Sequence, residues 1–320
     1  MINKGYRVSA VVSQPDRAVG RKQIMTRTPI SDFAVNHNIP VIKPASRKDK
    51  PWLFADEKGL ENELEKYNPE MLVVCYFGQK IPQEILDLPK YGGLNIHPSL
   101  LPKYRGSAPA EWAIIMGEKE AGVSVIKMSE KFDEGMIVAQ DKEIINESDT
   151  SEELYTRLFN KGAELLVKTI PDYIENKIVL IPQDKTKGSY FPRFKREDGF
   201  VPWSLIEKLI KGEVVVENDF KDWQIAKYFS SEFLVQSSQY IVARASRALL
   251  PWPGLWTIIE INQPTNQSIS QLNGKRLKIL KSHVKPKTKN QEFRTRLILD
   301  EIQLEGKNPM SWEELEKKLI

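Results

Sequence analysis

The sequence predicts an α/β chain in two parts, a mostly parallel sheet followed by a small β-barrel, and three observations lead there. Up to about residue 183, apolar strand-like runs alternate with helical segments, the pattern of parallel strands joined by crossover helices. Residues 184–202 then turn polar and hold Gly188, Pro192, Gly199 and Pro202, as a linker crossing the surface would. Beyond Pro253, short β-branched runs recur at regular spacing, which suggests a small barrel. A length of 320 residues agrees with two cores, and the expected domains are 1–183 and 203–320 with 184–202 between them.

The first element, YRVSAVVSQPD, reads as a strand ending in a turn. A basic loop expected to be mobile follows, with Arg17, Arg21, Lys22 and Arg27 around Gly20. A helix over Ile30 to His37, the strand IPVIKP and an acidic helix from Glu57 to Lys66 lead to the apolar strand MLVVCYFGQKIP, closed by Gly78 and Pro82. Cys75 lies inside this run and is expected to be a buried structural thiol. A short helix near Gln83 to Leu86 precedes the central strand GGLNIHP.

A helix over Ser107 to Met116 comes next, then the strand AGVSVIKM, with MIVAQDKEI as its hairpin partner across KFDEG. Thr150 and Glu153 form a capping box that opens a helix with Leu154, Leu158, Leu165 and Leu166 on its apolar side. In the second part, helices are expected over Ser204 to Lys211 and Asp222 to Leu249, with Trp252 and Trp256 as packing aromatics. The strands LWTIIEIN, KRLKILKSHV and FRTRLILDEIQL follow, then a last helix capped by Ser311 and Glu314.

Composition narrows the function. Hydrophobic residues make up 41% and charged residues 28%, as in ordinary globular proteins, and no run of eighteen apolar residues suggests a membrane span, so the chain is expected in the cytosol. One cysteine excludes an internal disulfide, and His37, His97 and His283 have no metal-ligand spacing. The net charge of +4 is uneven: residues 1–183 hold 24 basic and 26 acidic side chains, and residues 184–320 hold 23 and 17. From Asn273 to Leu299 nine basic residues, among them Lys275, Arg276, Lys278 and Lys281, face one acid, Glu292. That excess suits a phosphate-facing surface, with a merely solvated basic hairpin as the alternative. Neither G-x-x-x-x-G-K-[ST], G-x-G-x-x-G nor G-x-S-x-G occurs, which removes the usual support for nucleotide binding and for a serine hydrolase.

The stretch Asn95–Asp133 is where chemistry concentrates. Asn95 and His97 stand two apart at a strand end, so their side chains leave one face, and Pro98 stops the strand. If Asp133, in the later turn, converges with them, the three suit acyl transfer: a carboxamide donates to an oxyanion, an imidazole moves or stabilises a proton, and a carboxylate fixes the imidazole tautomer or takes a proton. Phe77, Gly78 and Gln79 end a neighbouring strand and could share the crevice. Arg105 and Gly106 read equally as a turn or as a ligand site.

NIHPSLLPKYRGSAP together with MSEKFDEGMIV resembles the signature of the folate-dependent formyltransferases. SQPDRAVGR, VVCYFGQKIP, RALLPWPGLWT, GKRLKIL and EGKNPMSWEEL are similar to the members that act on methionyl-tRNA. The resemblance implies a Rossmann-like catalytic domain over 1–183 and an OB-like tRNA-binding domain over 203–320. It implies Asn95, His97 and Asp133 as the catalytic set, with no metal. It places 10-formyltetrahydrofolate beside Ser99, Leu100, Leu101 and Pro102 and against Phe77, Gly78, Gln79 and Ile81. Initiator methionyl-tRNA is implied as acceptor, contacted by Arg17, Arg21, Lys22 and Arg27 and by Lys275, Arg276, Lys278 and Lys281, with the enzyme acting as a monomer.

Against the family pattern the chain is expected to lack the first strand and helix, which would expose a sheet edge. It is also expected to carry a helical insertion near 205–236, and it has Leu250 where an Asn is usual. A formyltransferase for an amino sugar or another small amine, and an RNA-binding protein whose catalysis the shortened start impairs, stay open as alternatives.

Overall fold

The computed structural model describes residues 1–20, 22–261, 270–286 and 295–319. By internal contacts the chain forms two compact units that interleave in sequence: one of Met1–Ser107, Ala121–Glu143 and Arg157–Phe191, the other of Ala108–Glu120, Ile144–Thr156 and Pro192–Ile320.

In the first unit, strands β1 (Val11–Val12) and β4 (Val41–Ile42) pair in parallel. Between them the expected mobile loop instead folds into an antiparallel hairpin, β2 (Arg17–Val19) with β3 (Ile24–Thr26). Helix α1 (Pro29–Asn36) follows it, its Thr28 hydroxyl accepting from Ser31 N. Helix α2 (Glu57–Glu65) is capped by Asp56 and buries Leu60 and Leu64.

The larger sheet has the order β5 (Leu72–Cys75), β6 (Gly93–His97), β8 (Glu120–Lys127) and β9 (Ile137–Ile144). The remaining elements before β9 are α3 (Gln83–Asp87), β7 (Arg105–Gly106) and α4 (Pro109–Met116), the last belonging to the other unit. β5 and β6 run parallel, whereas β6 and β8 run antiparallel, so the sheet is mixed rather than mostly parallel. Its core is Leu94, Ile96, Val123, Val125 and Val138 against Leu166 and Ile170 of helix α5 (Ser151–Ile174). Seven side chains of that size, worth roughly 1.5–3 kcal/mol each on full burial, make this the anchor of the sheet.

β5 is an edge strand. Val73 there is 40% exposed and Cys75 is exposed, which corrects the expectation of a buried thiol: they share a sheet face with their register partners Leu94 and Ile96 but lie outside the core that those two join. Enough protein still surrounds the sulfur that desolvation pushes the thiol up to about 11. The segment expected as a surface linker carries structure of its own. It supplies β10 (Tyr190–Phe191), paired in parallel with β7, and buries Phe194 and Val201.

In the second unit, Trp112 of α4 stacks on Phe194 and meets Tyr228 edge-on. Helix α6 (Trp203–Lys211) ends at Gly212, whose φ of 71° closes it in the left-handed conformation. The long helix expected over Asp222 to Leu249 is broken. A 3-10 turn, Gln224–Tyr228, ends at an extended Phe229, and helix α7 (Ser231–Ala248) restarts where Ser230 Oγ accepts from Phe233 N.

Strands β11 (Leu255–Ile258), β12 (Arg276–Lys285), β13 (Arg296–Leu304) and β14 (Met310–Ser311) form one antiparallel sheet in chain order, with α6 and α7 packed on it and α8 (Trp312–Leu319) closing the chain. The sheet is open among the described residues, so the expected barrel is present here as a four-stranded antiparallel sheet only. Both capping boxes form: Thr150 with Glu153, and Ser311 with Glu314. Trp252 is 54% exposed and not a core aromatic; Trp256 packs against Phe200.

Candidate active site

β6 presents the site. Leu94 and Ile96 turn into the core while Asn95 and His97 share the opposite face, as the two-residue period requires. The His97 ring lies between two oxygen acceptors. Nδ1 is 3.3 Å from Asp133 Oδ1, and Nε2 is 3.0 Å from the Tyr104 carbonyl. With an N–H on both nitrogens the ring donates to both; with one, it donates to Tyr104 from Nε2 or to Asp133 from Nδ1, according to the tautomer. The His97 and Asp133 side chains are 5% and 13% exposed, so their interaction is little screened by water. Asn95, half-buried one step earlier on the same face, makes no side-chain hydrogen bond within the described residues and has its carboxamide available.

Asp133 is held from two directions. Its Oδ2 accepts from Gly106 N at 2.8 Å, and its carbonyl accepts from Gln183 Nε2 at 2.7 Å. Its φ of 54° is left-handed, a conformation that aspartate tolerates better than most non-glycine residues and that these two hydrogen bonds hold here. Gly106 is a glycine for a steric reason: at φ 108° a Cβ would stand 2.2 Å from the Phe191 carbonyl oxygen.

The loop after His97 is pinned from below. Ser124, a hydroxyl within an otherwise apolar strand, donates to the Ser99 carbonyl at 2.6 Å and accepts from Leu101 N at 3.1 Å, while Gln140 Nε2 reaches both Ser124 Oγ and the Leu101 carbonyl. Ser99 Oγ donates to the Lys103 carbonyl at 2.7 Å. Ser99 and Leu101 are therefore committed to the protein's own packing, Leu101 beside Ile126 and Ile137, with Leu100 and Pro102 only half-buried.

Parallel pairing of Cys75 with Ile96 brings Phe77 to Ile81 to the same end of the sheet as His97. Gln14 Nε2 donates to the Phe77 carbonyl, Gly78 takes φ 74°, and Phe77 and Ile81 rest on the Phe54 cluster. Gln79 is 4% exposed; its Nε2 donates to Ser46 Oγ at 3.0 Å, and its Oε1 is buried without a partner.

The basic residues fall in both units. Arg17, Lys22 and Arg27 are exposed on and after the β2–β3 hairpin, Arg27 with Asp32 at 3.5 Å, and Arg21 lies outside the described residues. Lys275, Lys278 and Lys281 are exposed, Lys278 and Lys281 on β12, whereas Arg276 is half-buried with its guanidinium over Trp256, 4.9 Å from the ring centroid. Lys287, Lys289 and Arg294 of the same basic stretch lie outside the described residues.

Sequence reasoning missed Tyr104, Ser124, Gln140 and Gln183. A hydroxyl interrupting AGVSVI was a visible signal for Ser124; nothing local distinguished Gln183, which acts only through a pairing that brings Ile181 against Ile137.

Residues 3–170 match the formyl transferase family model. The chain is 36% identical over 247 residues to the methionyl-tRNA formyltransferase of Alkaliphilus oremlandii, covering 75% of this chain and 77% of that one. It is 34% identical over 278 residues to that of Enterococcus faecalis, covering 82% and 85%. Among solved structures it is similar in fold to the sugar 3N-formyl transferase WlaRD, crystallised with dTDP and 5-N-formyl-THF, at TM-score 0.54 and 20% identity over 96% of this chain and 92% of that one. It also matches HypX from Aquifex aeolicus in complex with tetrahydrofolic acid, at TM-score 0.52 and 15% identity over 96% and 46%.

Proposed function

The chain belongs to the formyl transferase family, with relatives that are methionyl-tRNA formyltransferases, and from that membership we propose that it moves the formyl group of 10-formyltetrahydrofolate onto the α-amino group of initiator methionyl-tRNA. The observation that carries the reading is the Asn95 carboxamide on the same strand face as a histidine ring seated between a carboxylate and a carbonyl.

The residues present fit the formyl donor. The orphaned Gln79 Oε1 would offer an acceptor to a bound pterin, and backbone groups from Phe77 to Ile81 line the same strand end. The half-buried Leu100 and Pro102 give the donor a wall, and the buried Ser99 and Leu101, held by Ser124 and Gln140, keep it in place. Bound there, 10-formyltetrahydrofolate supplies an electrophilic formyl carbon.

Each side chain then has one task. Asn95 donates an N–H to the formyl oxygen as it gains charge, and a preorganised donor of that kind is worth roughly 3–4 kcal/mol. His97, held at Nδ1 by Asp133, donates from Nε2 to the same oxygen once that nitrogen leaves the Tyr104 carbonyl. Asp133 holds the imidazole and accepts the proton that the attacking amine sheds. The nitrogen–carbon bond to methionine forms, the bond from the formyl carbon to the folate nitrogen breaks, and that nitrogen receives the proton.

The exposed Lys275, Lys278 and Lys281, with the basic hairpin around Arg17 and Lys22, supply phosphate contacts for the tRNA. No helix among the described residues is long and apolar enough to cross a membrane. Incubation with 10-formyltetrahydrofolate and methionine-charged initiator tRNA should yield N-formylmethionine after deacylation. Transfer to an amino sugar nucleotide but not to the charged tRNA would reject this acceptor.

A further inference from the structure

The carboxylate of Asp133 meets His97 from a turn in the left-handed conformation, and one polar assembly grips that turn. The Gln183 carboxamide is fully engaged. Its Nε2 donates to the carbonyls of Asp133 and Gly135 at 2.7 and 2.8 Å, and its Oε1 accepts from Arg105 Nε and Nη2 at 3.1 and 2.7 Å. Arg105 is 11% exposed, and its Nη1 lies 3.9 Å from Glu134, the residue between the two gripped carbonyls. Two pairings deliver these groups: Ile181 bridges Ile137, and Arg105 and Gly106 pair with Tyr190 and Phe191. Arg105 therefore orients Gln183, Gln183 fixes the Asp133 backbone, and the neighbouring Gly106 N–H fixes the Asp133 carboxylate.

We infer that Gln183 and Arg105 are positioning residues that set the aim of Asp133 at His97, and so the rate of the chemical step. Neither touches His97; both act through the backbone of the turn. A carboxylate released to wander by about an ångström from its working position costs on the order of a hundredfold in rate. The dipeptide Arg105–Gly106, undecided in sequence between a turn and a ligand site, is the scaffold of the acid–base pair.

The test rests on the formyl-transfer reading and uses the full chain. Gln183→Leu is expected to lower kcat about 30- to 100-fold while KM for each substrate stays within threefold. Gln183→Glu, isosteric and still able to meet Arg105, loses both donors to the turn and should match it; it carries the same test if the leucine variant does not fold. A double variant, Gln183→Glu with Asp133→Asn, should be no slower than Asp133→Asn alone, because both changes cut one path. Losses that multiply, or a Gln183→Glu enzyme above a third of the wild-type kcat, overturn the inference.

If the wild-type chain transfers no formyl group, the functional reading fails and the imidazole 15N resonances of His97 still decide this one. A displacement by Gln183→Glu in the same direction as by Asp133→Asn supports the positioning role, and unmoved resonances refute it.

Discussion

Replacing Asn95 separates chemistry from folding more cleanly than any other change at the site. The side chain is half-buried and makes no hydrogen bond within the described residues, so Asn95→Ala leaves no partner unsatisfied. Its neighbours in register, Val74 and Ile126, keep their backbone ladder. Stability should therefore move by no more than about 0.5 kcal/mol, the range of a substitution that breaks no buried interaction.

Activity should not be spared. One preorganised donor is worth roughly 3–4 kcal/mol in the transition state, and at about 1.4 kcal/mol per decade this is a loss of order 10²–10³ in kcat. Asn95→Asp, equal in size but without the N–H, should lose at least as much. The assay is steady-state formylation of charged initiator tRNA, with thermal unfolding run in parallel. A kcat within threefold of wild type for Asn95→Ala, or a loss accounted for by unfolding at the assay temperature, would refute the assignment of Asn95 as the oxyanion donor.

Gly106→Ala should be destabilising as well as inactivating, since a Cβ would stand 2.2 Å from the Phe191 oxygen at φ 108°; the backbone strain alone costs about 1–3 kcal/mol, read as a lowered Tm. Exchanging Lys275, Lys278 and Lys281 for Ala should weaken tRNA binding and flatten the slope of log Kd against log salt by about 1 for each phosphate no longer neutralised, and an unchanged slope would mean that the strand is merely solvated. Cys75 has its thiol raised from 9.0 to about 11 by desolvation, so the thiolate is depleted until pH approaches the folded value, about a hundredfold at pH 8. Alkylation of Cys75, followed by mass spectrometry, should climb through pH 10–11, and a rise centred near pH 9 would contradict the desolvation.

The parts of this protein legible in its sequence are those that short-range physics decides. Asn95 and His97 share a face because a strand alternates every two residues, and this holds for β6 whatever packs on it. The Thr150–Glu153 and Ser311–Glu314 boxes join residues three apart, so the helix starts were readable too. Tertiary structure decided the rest, because partners distant in sequence are chosen by packing. The orientation of β8 against β6 made the sheet mixed. The position of β5 at the sheet edge left Cys75 outside the core that its partner Ile96 joins, where its place in an apolar run argued for burial. A serine cap at Ser230 interrupted a segment whose apolar content reads as one helix. The same division runs through the site itself: the residue types around His97 could be read in order along the chain, but the left-handed Asp133, the Gly106 N–H that binds it and the Gln183–Arg105 grip come together only when β7, β10 and the strand beside Ile137 have found one another.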